Sequence, residues 1–217
     1  LSSLSSAVAN NGGIGIISAA QIGYREDDFD RNTDEANTRA LVQEIRKARE
    51  LSPDGILGVN LMVPIKNYDE MVKTCVDEKV DLIISGAGLP KDLPKLVKGS
   101  DTKIAPIVSS GKAAALLARL WQRRYDYLPD LVIVEGPDAG GHLGFPFEDL
   151  EREQPPRLED LVVEVIQALD KYENQGAKIP VIVAGGIYDG RDIKRFLDLG
   201  ASGVQMGTRF VATEECD

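Results

Sequence analysis

Leu131-Val-Ile-Val-Glu-Gly-Pro-Asp-Ala-Gly-Gly-His-Leu-Gly144 is an apolar run that passes directly into a glycine-rich loop. The loop carries His142, the only histidine among 217 residues, behind two glycines. A buried strand ending in such a loop, with one titratable base, is how an α/β enzyme displays chemistry at the C-terminal end of a strand. Imidazole has the ordinary pKa nearest neutrality, which makes His142 the candidate catalytic residue. The glycines let backbone approach a flat or anionic ligand closely. The bland alternative is a surface histidine in a flexible loop. The neighbouring strand ends weigh against it, because they carry compatible chemistry.

Working outward, the same strand–loop–helix unit recurs on both sides. Upstream, Ile14-Gly-Ile-Ile17, Ile56-Leu-Gly-Val-Asn-Leu-Met62, Asp81-Leu-Ile-Ile-Ser85 and Lys103-Ile-Ala-Pro-Ile-Val108 read as strands. Downstream, Ile179-Pro-Val-Ile-Val183 and Gly203-Val-Gln-Met206 continue the series. Helical spacing is predicted over 34–51, 67–78, 91–97, 112–124, 158–172 and 189–199. Residues 2–11 predict an opening helix with Leu4, Ala7 and Val8 on its apolar face, and Ser18 to Thr33 reads as a solvated polar excursion. Apolar strands without alternation are those of a parallel sheet buried on both faces. Strict βα repetition leaves a doubly wound open sheet or a (β/α)8 barrel. The chain opens with a helix, so a barrel would need one more strand before Leu1 and usually a helix after Asp217. Full barrels run to about 250 residues. The expected fold class is α/β, a TIM (β/α)8-type barrel that lacks the first strand and the C-terminal helical part within this chain.

Composition narrows the function classes. Hydrophobic content of 43% and charged content of 28% belong to a globular protein with a sizeable core. A net charge of −10 argues against nucleic acid or an anionic membrane as partner. It leaves room for one anionic ligand held by local backbone dipoles. Cys75 and Cys216 sit in no metal-ligand spacing and suggest a reducing compartment, the cytoplasm. No run of 18 apolar residues occurs, and Leu1-Ser-Ser-Leu-Ser-Ser6 lacks signal-peptide shape.

The last two strands end in Ala184-Gly-Gly186 and Met206-Gly-Thr208. In barrels the loops after strands seven and eight often build a phosphate site from backbone N–H groups and a helix N-terminus. Thr208 would add a hydroxyl donor. The competing reading is that these glycines only permit tight βα turns. Asn60 and Gln205 could hydrogen-bond a flat heterocycle or be locally satisfied amides, and Ser85 beside Gly86 is a weaker case of the same kind. Lys112 starts a helix, where the dipole disfavours a cation, and reads as a ligand partner or an ordinary exposed lysine, the latter being favoured. Glu135, a carboxylate at a strand end, would hold a ligand hydroxyl, orient the loop or act as a structural acceptor. No metal cluster, nucleophile elbow or G-x-G-x-x-G fingerprint is present.

Three motifs together resemble the nitronate monooxygenases: Asp138-Ala-Gly-Gly-His-Leu-Gly144, Pro180-Val-Ile-Val-Ala-Gly-Gly-Ile187 and Gly200-Ala-Ser-Gly-Val-Gln-Met-Gly-Thr-Arg-Phe210. Gly12-Gly-Ile-Gly-Ile-Ile17 and Gly58-Val-Asn60 fit the same pattern, so the resemblance spans nearly the whole chain. It implies a single FMN-binding barrel domain over 1–217, incomplete at both ends, with a loop insertion at about 145–157 that is longer than the family's. It implies that Gly185, Gly186, Gly207 and Thr208 bind the FMN phosphate, and that Asn60, Ser85 and Gln205 lie near the flavin, with Glu135 also at the cofactor. His142 would face flavin and substrate, and Gly140 and Gly141 would let that loop approach. The family's Gln-Gly-Gly-Met-like first strand end is missing here. The implied activity is oxidation of alkyl nitronates by O2 to carbonyl compounds and nitrite. One alternative is an NAD(P)H-dependent enoyl-acyl-carrier-protein reductase, which shares two of the motifs. Others are a non-redox phosphate-binding barrel enzyme and an idle flavin binder. The expected partner is a small molecule, a nitronate or an enoyl thioester, with no nucleic acid or membrane; a homodimer is left open.

Overall fold

Wholly apolar strands need cover on both faces, and helices supply it in βα order. The computed structural model describes residues 1–152, 155–173, 176 and 178–216. Contacts divide the chain into two compact units, Leu1–Ile104 with the last residues from Ala212, and Ala105–Val211.

The first unit contains α1 (Ser2–Asn10), β1 (Ile14–Ser18), α2 (Thr33–Leu51), β2 (Ile56–Met62), α3 (Tyr68–Asp77), β3 (Leu82–Gly86) and α4 (Leu93–Leu96). β1 pairs with β2 in parallel, Ser18 opposite Asn60, and β2 pairs with β3 in parallel, Leu61 opposite Ser85. Every residue of β3 is buried. α2 buries Ala36, Ala40, Leu41, Ile45 and Ala48, the stripe its spacing predicts. Asp34 and Glu35 in its first turn and Arg49 in its last complement the helix dipole.

Two expectations change in this unit. The buried face of α1 is Ser2, Ser5, Ser6 and Ala9, whereas Leu4, Ala7 and Val8 are only partly covered. The reason is distance: a Cβ on Gly15 of β1 would lie 1.9 Å from the Ser5 carbonyl oxygen. Backbones that close admit only small side chains, and two of the serine hydroxyls satisfy themselves by donating one turn back, Ser5 to the Ser2 carbonyl at 3.2 Å and Ser6 to the Ser3 carbonyl at 3.0 Å, whereas the Ser2 hydroxyl is buried with no partner. The excursion after β1 is also less solvated than its composition implies. Ala19 and Ile22 are buried, the Gly23 N–H donates to Asn37 Oδ1 at 2.8 Å, and Arg39 pairs with Glu26 and Asp28.

The second unit takes in β4 (Lys103–Val108) from Ala105 onward, α5 (Gly111–Tyr125), β5 (Val132–Glu135), α6 (Phe147–Leu150), α7 (Leu158–Glu173), β6 (Val181–Ala184), α8 (Gly190–Asp198) and β7 (Gly203–Gln205), followed by a 3-10 turn over Thr208–Phe210. β4 to β7 pair in chain order and in parallel. Leu117 and Trp121 of α5 and Val162 and Val165 of α7 are buried, and the two helices pack together. Glu164 of α7 accepts from the Gly111 N–H at 3.0 Å, so one helix caps the start of the other. β6 begins two residues later than its apolar run, because Pro180 has no N–H for a ladder; its carbonyl still accepts from Val132 at 2.9 Å. The 145–157 insertion holds the short helix α6, and Glu153 and Gln154 lie outside the described residues.

The described residues thus form seven parallel strands alternating with helices, the α/β barrel class that the repeat predicts. Among them no helix is long and apolar enough to cross a membrane.

Candidate active site at the ends of β5, β6 and β7

Parallel register aligns the last residues of three neighbouring strands. Glu135 stands opposite Ala184, and Ala184 opposite Gln205. With strands about 4.8 Å apart, a carboxyl and an amide flank one small residue across roughly 10 Å. A cavity of about 470 Å³ opens above this row, lined by Glu135, Asp138, Ala139, Gly140, Ala184 to Tyr188 and Gln205 to Thr208. Its size is that of a cofactor or substrate site. Glu135 is half-buried, and that burial raises its carboxyl above the usual carboxylate range.

The loops around the row need glycine. Gly185 and Gly186 have φ of +95° and +71°. A Cβ on Gly185 would meet Ala139 at 3.2 Å, and one on Gly186 would meet the Asp138 Cβ at 3.1 Å. The loops after β5 and β6 therefore lie against one another through two residues without side chains. A Cβ on Gly207 would meet nothing within 4 Å, so that glycine borders open space. Among the described residues, no protein acceptor takes the N–H groups of Gly186, Gly207 or Thr208. At the helix end beside them the N–H groups of Arg191 and Asp192 are already taken. Asp189 Oδ1 accepts from the N–H groups of Arg191 and Asp192, and Asp192 Oδ2 accepts from Tyr188 at 2.9 Å and Asp189 at 3.3 Å. Anion binding at this corner thus falls to the loop N–H groups rather than to the start of α8.

Seven of the residues singled out in the sequence meet in this cavity: Glu135, Gly140, Gly185, Gly186, Gln205, Gly207 and Thr208. Gly141 and His142 follow Gly140 in the loop, but both are exposed and neither lines the cavity. Asn60 and Ser85 belong to the first unit. Asn60 is half-buried on β2. Ser85 is fully buried and shares a 2.8 Å hydrogen bond with the Tyr68 hydroxyl, whose pKa burial pushes up to about 12. Lys112 is exposed, as expected.

Asp138, Tyr188 and Arg209 escaped the sequence reading as site residues. Asp138 and Tyr188 line the cavity. Arg209 donates to the Tyr188 hydroxyl at 3.1 Å, with its guanidinium 4.9 Å from the ring centre. Their only sequence signal is adjacency: Asp138 shares the loop of Glu135, Tyr188 follows Gly-Gly-Ile187, and Arg209 follows Thr208. A larger cavity of about 670 Å³ in the first unit is lined by Val63, Lys66, Tyr68, Leu89, Lys91 and their neighbours. It contains none of the predicted residues and lacks a glycine loop with free N–H groups. Among the described residues no group of His, Cys, Asp and Glu is arranged to hold a metal ion.

Residues 54–217, most of the chain and all of this site, match the sequence family described as nitronate monooxygenase. The chain belongs to the nitronate monooxygenase family. Among proteins similar to this family member is the (3aS,4S,5R,7aS)-5-hydroxy-7a-methyl-1-oxo-octahydro-1H-indene-4-carboxyl-CoA dehydrogenase of Rhodococcus jostii (strain RHA1), 30% identical over 95% of this chain and 47% of the relative. A probable nitronate monooxygenase of Bacillus subtilis (strain 168) is 29% identical over 98% of this chain and 62% of the relative. Among solved structures, FabK from Thermotoga maritima matches with a TM-score of 0.75 and 33% identity, covering 100% of this chain and 57% of that one. The chain spans about half the length of the curated relatives it matches first.

Proposed function

We propose that this chain carries the FMN site of a flavin-dependent oxidoreductase that oxidises alkyl nitronates, and the nitroalkanes they come from, with O2 to carbonyl compounds and nitrite. One observation carries the reading. In a member of the nitronate monooxygenase family, two glycine loops with free N–H groups border a cavity floored by three aligned strand ends.

The residues present suit FMN. The N–H groups of Gly186, Gly207 and Thr208, with the Thr208 hydroxyl, would hold the phosphate, and no side chain occupies the space over Gly207. Glu135 and Gln205 would meet polar edges of the flat ring across Ala184. When bound, FMN supplies the electron transfer that the side chains lack. His142, at the exposed end of the β5 loop, is the group proposed to take the α-proton of a neutral nitroalkane, or to stabilise the anion when the nitronate binds directly. The proposed partner is a small molecule, with neither nucleic acid nor membrane. The cysteines, both free, fit a reducing cytoplasm.

A second reading is an NAD(P)H-dependent reductase of enoyl thioesters. The identity to FabK, and the name of the Rhodococcus relative, a carboxyl-CoA dehydrogenase, favour it. One experiment separates the two. The FMN-loaded protein is mixed anaerobically with ethyl nitronate or with NADH and NADPH. Loss of flavin absorbance with the nitronate alone supports the oxidation. Rapid loss with a nicotinamide supports the reductase, and failure to retain FMN removes both.

A further inference from the structure

Tyr188 and Arg209 have no task in the proposed function, yet they form a pair at the cavity's edge. Arg209 stands in the 3-10 turn after β7, directly behind Thr208. Arg39, Arg46, Arg49 and Arg195 each reach a carboxylate. Arg209, in a chain of net charge −10, reaches none among the described residues. It turns to Tyr188 instead: one guanidinium nitrogen donates to the phenol oxygen at 3.1 Å, and the guanidinium lies 4.9 Å from the ring centre. Two contacts of different kinds hold the pair together. Tyr188 is anchored in turn through its backbone, the N–H donating at 2.9 Å to Asp192 Oδ2 in the first turn of α8. The direction of the side-chain bond matters. A guanidinium only donates, so the Tyr188 hydroxyl oxygen accepts and keeps its own proton to give. Among the described residues no protein group takes that proton. Tyr188 lines the cavity with Gly207 and Thr208, and the space over Gly207 holds no side chain. The free N–H groups there are neutral, and the ionisable side chains Glu135 and Asp138 that line the cavity are carboxylic. Arg209 is thus the cation nearest in sequence to the loop that would take the phosphate.

We infer that Tyr188 and Arg209 act as one donor that reads the phosphate of the flavin, so that the site tells FMN from riboflavin, its unphosphorylated form. The inference rests on the proposed function. The Tyr188 hydroxyl would donate to a phosphate oxygen, beside the neutral N–H groups of Gly186, Gly207 and Thr208. Arg209, bonded behind the hydroxyl, polarises it and lends its charge through that one hydrogen bond. Arg209 itself is exposed, so its charge stays solvated while the phenol carries its influence to the cavity. A flavin without phosphate gains nothing from the pair, because it offers no anionic acceptor at that end.

The test is titration of the protein with FMN and with riboflavin, followed by flavin fluorescence. Tyr188→Phe keeps the ring and removes only the hydroxyl. Its FMN affinity should fall about tenfold, the low end for a hydrogen bond to a charged group, while its riboflavin affinity stays unchanged. Arg209→Gln should behave in the same way, and Arg209→Lys should recover part of the loss. Because the pair acts as one donor, Tyr188→Phe combined with Arg209→Gln should lose no more than the worse single variant. Unchanged FMN affinity in Tyr188→Phe, equal losses for the two flavins, or losses that multiply in the double variant would each overturn the assignment. So would FMN loss that tracks a lowered urea midpoint, which marks a packing role. Ribose 5-phosphate, followed by calorimetry, separates this inference from the reading beneath it. A protein that takes neither flavin but binds ribose 5-phosphate through Tyr188 and Arg209 would uphold the phosphate-reading pair and remove the proposed function. FMN held through the pair without nitronate oxidation would do the same. A wild type that binds neither flavin nor ribose 5-phosphate would remove both.

Discussion

At the scale of single residues, the carboxyl of Glu135 links the site to stability. Burial raises its pKa in the folded protein above the unfolded value, so the folded state holds the proton more tightly. The stability it contributes is complete below the unfolded pKa and is lost as pH rises through the folded one. Glu135→Gln removes that dependence. Urea midpoints of wild type and variant should converge at pH 4 and separate in favour of the variant at pH 7; a constant gap would show that the carboxyl is not desolvated on folding. Gly186 is the second test at this scale. An alanine there must adopt a φ of +71° and place its methyl 3.1 Å from the Asp138 Cβ. A loss of about 1–2 kcal/mol is expected from the left-handed backbone, with weakened FMN binding. Urea unfolding and flavin titration measure the two effects.

Elements were legible in the sequence wherever periodicity is local, and obscure wherever pairing decides. The αβ alternation, the strand identities and the glycine loops could be read directly, because apolar runs, helical spacing and Gly-Gly pairs are properties of neighbouring residues. The row Glu135, Ala184, Gln205 could not, since it depends on the register of strands roughly 50 and 20 residues apart in the chain. Nor could the exposure of His142, because its chemistry says nothing about which way its loop turns. The face of α1 was misjudged for a related reason. Hydrophobicity ranks Leu4 and Val8 above serine, but the close crossing onto Gly15 selects for size. α8 shows a device that local sequence holds but composition hides. Asp189 and Asp192 form a reciprocal capping box. Asp189→Ala should lower stability by about 1 kcal/mol, and Asp189→Asn should recover most of it. Equal losses in the two variants, seen in the urea midpoint, would point to charge rather than hydrogen bonding.

The whole molecule carries a net charge of −10, and its proposed cofactor is also an anion. Long-range repulsion should slow their encounter, whatever the loop N–H groups do at contact. The Debye length falls from about 30 Å at 0.01 M salt to about 10 Å at 0.1 M. The association rate of FMN, followed by stopped-flow fluorescence, should therefore rise across that range. A falling rate would reveal a local positive field that overrides the global charge. A saturation library read over all positions should also be uneven, and its sharpest feature should fall on a residue that does not line the candidate site. Position 15 has no volume to spare where β1 meets the Ser5 carbonyl, so one codon family alone should survive there. Its neighbour Ile14, 43% exposed, should accept polar replacements freely. Intolerance in such a map would then report backbone crossing distance, and a position read as essential by genetics need play no part in the reaction.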